Sequence, residues 1–260
     1  MRNRVLTAIF GILLIFLVNF FGGIYLKVFL LAVSVIAISE LLKTLNIENE
    51  IIALSIITSS IIIINNIIIY DYLIVFLSFL IVTSYYVVKN NISAKKIVYV
   101  VFSFAYIPIT LGLLYYLRGL EKGDLLIWLP YMICWGVDTF AFFIGINFGK
   151  NKLCSNISPK KSVEGFFGGL LGGLIAVVLF EFIYNRFELN TIYIFKILFI
   201  SIVVSITAQI GDLFASMIKR ENNKKDFGWI LPGHGGVLDR FDSLLLVTPL
   251  VYLLRIINII

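Results

Sequence analysis

The last quarter of the chain reads IFKILFISIVVSITAQIGDL (194–213), FASMIKRENNKKDFGWILPGHGGVLDR (214–240) and FDSLLLVTPLVYLLRIIN (241–258). Two apolar runs enclose a segment crowded with Lys, Arg, Asp, Glu and Gly. Continuous runs of roughly 17–25 apolar residues suit helices that cross a bilayer. Charge at the edge of such helices is costly and by default functional. The enclosed segment offers cations for phosphate, carboxylates for a metal ion, and glycines for close approach of backbone to a ligand.

The same pattern extends outward through all 260 residues. The chain is 60% hydrophobic and only 14% charged, with a mean hydropathy of +1.03. A membrane β-barrel would alternate apolar and polar residues, which these runs do not. The expectation is an all-α polytopic integral membrane protein with about nine transmembrane helices, near 5–21, 24–42, 51–69, 72–88, 97–117, 125–147, 165–184, 194–213 and 241–258. Asn65-Asn66 interrupts the third. Arg2 and Arg4 before Val5–Phe21, with Gly22-Gly23 after, imitate a secretory signal. The run exceeds the roughly 7–15 residues of a signal core and further spans follow, so an uncleaved first helix is expected.

Basic residues set the orientation. With Arg2 and Arg4 in the cytoplasm, alternate loops collect Lys43, then Lys89, Lys95 and Lys96, then Lys150, Lys152, Lys160 and Lys161, then Lys219, Arg220, Lys224, Lys225 and Arg240. The opposite side holds Lys27, Arg118, Lys122, Arg186, Lys196 and Arg255. This bias predicts a cytoplasmic N-terminus and an external C-terminus. The formal net charge of +6 is thus partly topological, and no basic patch interleaved with aromatics points to nucleic acid. Two regions are expected: 1–125, N-terminal transmembrane helices, and 126–260, a catalytic transmembrane region with cytoplasmic loops.

Cys134 and Cys154 have no metal or redox spacing and read as unpaired thiols. His234 is the sole histidine, which excludes His-cluster metal sites.

Three acids stand at helix mouths. If the eighth helix continues past its apolar run, Asp212, Ser216 and Lys219 or Arg220 share a face. Asp239 and Asp242 are three apart at the start of the ninth. Such carboxylates suit Mg²⁺, which takes one or two of them and completes its shell with phosphates and water. They would also suit the positive end of a helix without any metal. Gly233-His234-Gly235-Gly236 permits a tight turn and close phosphate approach. Ser158-Pro159 reads as a helix start, with Ser158 as N-cap and Pro159 at the first position. Lys160 and Lys161 would then oppose the helix dipole, which makes sense if an anion sits there. Asp138 is an acid inside an apolar run and a candidate partner for a lysine. Gly165, Gly169 and Gly173, and Gly168 with Gly172, recur every four residues and predict close helix packing, within the fold or across a dimer.

These motifs resemble those of the phosphatidate cytidylyltransferases, or CDP-diacylglycerol synthases. That family's pattern Ser-x-x-Lys-Arg-x4-Lys-Asp, then Pro-x-His-Gly-Gly, then Asp-Arg-x-Asp is met at Ser216, Lys219, Arg220, Lys225, Asp226, Pro232, His234, Gly235, Gly236, Asp239, Arg240 and Asp242. The segment Ser158-Pro159-Lys160-Lys161-Ser162-Val163-Glu164-Gly165 resembles a second family motif, with Ser162 where Thr is usual. Val137-Asp138 stands where the family often has Asn-Asp. The resemblance covers about residues 125–245. It implies transfer of cytidylyl from CTP to phosphatidate at the cytoplasmic face of the cell membrane, giving CDP-diacylglycerol and pyrophosphate. Asp212, Asp239 and Asp242 are then expected to hold Mg²⁺, with a second cation such as K⁺ nearby. Lys219 and Arg220 join them as catalytic residues. Ser158, Ser216, Lys225, His234, Gly235, Gly236 and Arg240 are expected to contact substrate, and Lys160 and Lys161 to close over CTP. A homodimer is expected from the glycine stripe and the resemblance. Alternative readings are another CTP-dependent lipid enzyme, a polyprenol kinase or an archaeal-type lipid cytidylyltransferase, and an ion-coupled transporter using Asp138, Glu181 and Asp212.

Overall fold

The computed structural model describes residues 2–65, 68–90, 93–184, 191–231 and 233–260. Asn66, Arg186 and Pro232, singled out above, lie outside them. Most of the described residues are helical; the main exceptions are one short hairpin and the irregular segments 222–231 and 233–237, and the chain clusters into two compact units. One comprises Met1–Tyr116 with Asn222–Phe241, the other Leu117–Glu221 with Asp242–Ile260. The segment after residue 221 therefore folds with the N-terminal helices, not with the helices that precede it.

In the first unit, α1 (Arg2–Phe21), α2 (Gly23–Thr44), α3 (Asn49–Ile64), α4 (Ile68–Val88) and α5 (Ala94–Phe104) follow one another. A π-helical turn at Ala105–Ile109 then leads into α6 (Thr110–Gly119), whose last residues belong to the second unit. Pro108 sits inside that turn; it has no N–H for the helical ladder, and a widened turn absorbs the loss. Helix α2 matters most for the site. It stops because Asn46 takes a left-handed φ of 55°, with Ile47 N–H donating to Leu42 O at 3.0 Å and Asn46 N–H to Lys43 O at 3.4 Å. This is the paired-bond stop usually built with glycine, and Asn is its next-best residue.

The second unit contains α7 (Gly123–Leu126), α8 (Trp128–Phe148), β1 (Lys152–Cys154), β2 (Ser158–Ser162), α9 (Val163–Ile183) and α10 (Thr191–Glu221). The final helix, α11 (Leu238–Ile256), begins in the first unit and ends in the second. Strands β1 and β2 pair antiparallel, Lys152 opposite Ser162 and Cys154 opposite Ser158. Ser162, not Ser158, is the N-cap of α9, its hydroxyl accepting from Gly165 N–H at 3.0 Å. The expected helix start at Ser158-Pro159 is corrected accordingly. Pairing with β1 extends residues 158–162, and proline is tolerated in an exposed edge strand as well as at a helix start. Lys160 and Lys161 thus lie on a strand, and the argument from the helix dipole does not apply to them.

The glycine stripe faces inside the second unit. A Cβ on Gly172 would overlap the Gly136 carbonyl of α8. One on Gly168 would meet the Phe140 carbonyl at 2.9 Å, and one on Gly169 the Gln209 side chain of α10 at 2.8 Å. Glycine is what lets the α8 and α9 backbones approach this closely and α10 side chains press on α9, the small-residue packing that membrane helices use in place of hydrophobic drive.

Among the described residues, six helices are long and apolar enough to cross a membrane: Gly23–Thr44, Tyr70–Val88, Ala94–Gly119, Gly123–Phe148, Val163–Ile183 and Ile194–Glu221. Thr7–Phe21 and Asn49–Ile64 are shorter apolar helices. Helix α11 carries Asp239, Arg240, Asp242 and Arg255, and its length is apolar only between them. Large apolar side chains such as Phe142, Phe143, Ile146 and Phe182 lie exposed on their helices, as lipid-facing residues must. Cys134 and Cys154 are both free thiols, as expected.

Gly172→Ala is expected to lower stability by about 1–3 kcal/mol, since the added methyl has no room. Gly112→Ala meets nothing within 4 Å and should be neutral or stabilise by up to about 1 kcal/mol. Thermal unfolding of the two variants in detergent measures the contrast.

Candidate active site

The polar residues singled out in the sequence fall into two clusters, one in each unit. In the first unit, the Gly-rich turn is built by two residues with positive φ, Gly233 at 77° and Gly235 at 85°, a conformation that side chains disfavour. Leu231 N–H donates to Gly235 O at 3.0 Å and His234 N–H to Leu231 O at 2.9 Å. The turn is tied on three sides. His234 Nδ1 shares a 2.8 Å hydrogen bond with the Thr7 hydroxyl. Arg240 donates from Nε and Nη2 to His234 O at 3.1 and 2.8 Å. Asp239 Oδ2 accepts from Phe227 N–H at 2.9 Å and from Gly236 N–H at 3.0 Å. Asp239 is buried, so these bonds hold its carboxylate firmly. The Gly236 amide, read in the sequence as one that could cradle phosphate, is here turned onto Asp239. Arg240, beyond fastening the turn, remains exposed, as do Lys225 and Asp226.

One residue of this cluster was missed in the sequence reading. Glu40, in the last turns of α2, is 5% exposed. Its Oε1 accepts from Val237 N–H at 3.1 Å and its Oε2 from Leu238 N–H at 2.9 Å. The available signal was a lone acid in an otherwise apolar run, the reasoning applied to Asp138 and not to Glu40. Lys224 Nζ reaches the same helix end, donating to Lys43 O at 3.3 Å and Thr44 Oγ1 at 3.4 Å.

In the second unit, α10 continues nine residues past Asp212 to Glu221, so the predicted common face forms. Ser216 Oγ donates to Asp212 Oδ1 at 3.4 Å, and Lys161 Nζ pairs with Asp212 Oδ2 at 2.6 Å. Lys161 thus finds an anion, and it is this carboxylate. Ser216 and Lys219 are buried. The charges acting on Asp242 are Asp212, Lys219 and Asp138, so the acid of α11, two residues of α10 and the acid of α8 share one electrostatic neighbourhood. Arg220, exposed, donates from Nε to Ile157 O at 3.3 Å and steadies the hairpin. Glu164 receives Asn151 N–H at 3.2 Å and Nδ2 at 3.0 Å, locking β1 to the start of α9. Ser158 and Lys160 lie on the strand beside Lys161, Lys160 exposed.

Among the described residues no group of three or more His, Cys, Asp or Glu forms a ready-made metal cage. The donor set at Asp212 and Asp242 fits a Mg²⁺ ion of the other kind, bound by one or two carboxylates and completed by substrate phosphate and water. Two acids beside each other in apolar surroundings repel, and cations relieve that repulsion. Lys161 and Lys219 supply part of this relief.

Comparison with known sequences places the chain in a family. Residues 2–257 match the sequence model of the Cytidylyltransferase family. A phosphatidate cytidylyltransferase of Staphylococcus haemolyticus is 35% identical over 268 residues, covering 98% of this chain and 99% of the relative. One from Staphylococcus aureus is 34% identical over 266 residues, with the same coverage. One from Rickettsia typhi is 41% identical over 167 residues, covering 62% of this chain and 72% of the relative.

Ser162→Ala should cost about 1 kcal/mol through loss of the α9 cap, read as a lower unfolding temperature in detergent. Ser158→Ala, outside the helix, should leave that temperature within about 0.5 kcal/mol of wild type. The match along nearly the whole length, to the family model and to relatives alike, establishes that the chain belongs to the cytidylyltransferase family.

Proposed function

We propose that this chain transfers cytidylyl from CTP to phosphatidate, releasing pyrophosphate and forming CDP-diacylglycerol. The observation that carries the reading is the Asp212 neighbourhood. Carboxylates and lysines from helices and from the hairpin are drawn together where an apolar chain has no other use for them. Phosphatidate brings its own anionic oxygen as nucleophile, so neither a strong base nor a covalent intermediate is needed. The barrier is charge repulsion and alignment, which fixed cations and dipoles lower.

Asp212 and Asp242 are the residues we assign to Mg²⁺, with a second cation such as K⁺ nearby, and Asp239 accepts the amides of the turn in the first unit. Bound there, Mg²⁺ would neutralise phosphate oxygens and orient the attacked phosphorus. Lys219, buried beside Asp242, holds a positive charge toward the reacting phosphates. Lys161 has two partners to exchange, Asp212 without substrate and a CTP phosphate with it. Lys160, Ser158, Arg220, Lys225 and Arg240 supply further donors to phosphate, and Ser216 orients Asp212. His234, Gly235 and Gly236 form the turn from which Arg240 is presented.

Nine spans with a cytoplasmic N-terminus, an external C-terminus and a site on the cytoplasmic side of the cell membrane complete the proposal. The basic-residue bias supports it, and cysteine labelling from each side of oriented vesicles checks it. The homodimer remains a proposal from family resemblance, since the glycine face packs against α8 and α10.

In detergent micelles holding phosphatidate and Mg²⁺, wild type should release pyrophosphate only when phosphatidate is present. Asp212→Asn and Asp242→Asn should each lower kcat by at least about 100-fold, the scale on which removal of one transition-state electrostatic contact is felt. Omission of Mg²⁺ should abolish turnover. Full activity of both variants would overturn the assignment of these acids. No turnover by folded wild type would overturn the reaction.

A further inference from the structure

We infer that Glu40 is a positioning residue for the site, acting through the first turn of α11, an inference that rests on the proposed cytidylyl transfer. Glu40 is buried in the last turns of an apolar helix, where an acid without strong partners is expensive. Its two oxygens take the Val237 and Leu238 N–H groups. Those are opening amides of α11, which no helical carbonyl can satisfy, and they form the positive end of its dipole. The adjoining Gly236 amide and the Phe227 amide go to Asp239. Two carboxylates therefore divide four backbone donors, with Glu40 taking the two beside Asp239. Gly228 and Gly236 are shaped to this arrangement, since a Cβ on either would overlap the Glu40 carboxylate. The hydrogen bonds of Glu40 go to backbone amides and not to a proposed substrate-binding side chain. It fixes the height and rotation of the helix end that carries Asp239 and the turn before it, and so acts on alignment, not on binding.

A glutamine is close to isosteric but presents an amide NH₂ toward one of the two N–H groups, leaving a donor against a donor. Glu40→Gln in the full chain is therefore the first variant. Gly228→Ala is the second, because it crowds the same carboxylate without changing its charge. Hydrogen exchange should accelerate by about tenfold to 100-fold at amides 236–238 in both variants, the loss expected for a hydrogen bond to a charged acceptor. Peptides from α8 and α9 should keep wild-type exchange. In cytidylyl transfer, kcat should fall by about tenfold or more while KM for CTP stays within about twofold, the signature of an interaction expressed in the transition state. Wild-type exchange at 236–238 in Glu40→Gln overturns the inference, as does acceleration spread evenly over the chain, which would make Glu40 a generic packing residue. Local loosening with unchanged kcat also overturns it. Absence of cytidylyl transfer in wild type would instead defeat the proposed reaction, and the exchange data would still decide whether Glu40 anchors the helix.

Discussion

A backbone N–H left without an acceptor in apolar surroundings costs more than the bond it would have made. Phe227, the end of the Gly-rich turn and the start of α11 present four such groups close together, at Phe227, Gly236, Val237 and Leu238. Asp239 and Glu40 accept all four. Once these bonds are fixed, much of the first unit's chemistry follows. The turn has one shape, Arg240 closes it by bonding the His234 carbonyl, and Lys224 lies along the end of α2. The segment 222–241 folds with helices far from it in sequence because α2 supplies the acceptors it lacks.

The second unit meets a different constraint. The glycines of α9 let the α8 backbone and the Gln209 and Ser205 side chains of α10 come too close for any Cβ, and α10, packed in this way, carries Asp212, Ser216 and Lys219 on one face. The hairpin ahead of α9 brings Lys161 to Asp212. A salt bridge at this point is a weak source of stability once desolvation is counted. Its value lies in holding a carboxylate and an ammonium ready for a phosphate-bearing ligand, which can replace one partner with another.

Much of this was legible in the residues. Continuous apolar runs marked the helices, and the spacing of Asp212, Ser216 and Lys219 foretold a shared face that the extended α10 provides. The four-residue glycine period foretold close packing, realised inside the fold. What was not legible depended on partners distant in sequence. Ser158-Pro159 carries a helix-start signal as good as that of Ser162; pairing with Lys152–Cys154 decides between them, and no local rule reveals it. Glu40 looked like a stray acid in α2, because the amides that need it are some two hundred residues away. The Gly-rich turn suggested amides open to phosphate, since nothing in its own sequence shows that carboxylates already accept from them.

The reading of the molecule as a nucleotidyl-transfer enzyme is tested most directly by following each phosphate of CTP. The purified chain would be given phosphatidate with CTP labelled at either the α or the γ position. The account predicts that α label enters the lipid product while γ label leaves as pyrophosphate. Transfer of γ label to lipid would contradict it, showing phosphoryl transfer in place of cytidylyl transfer.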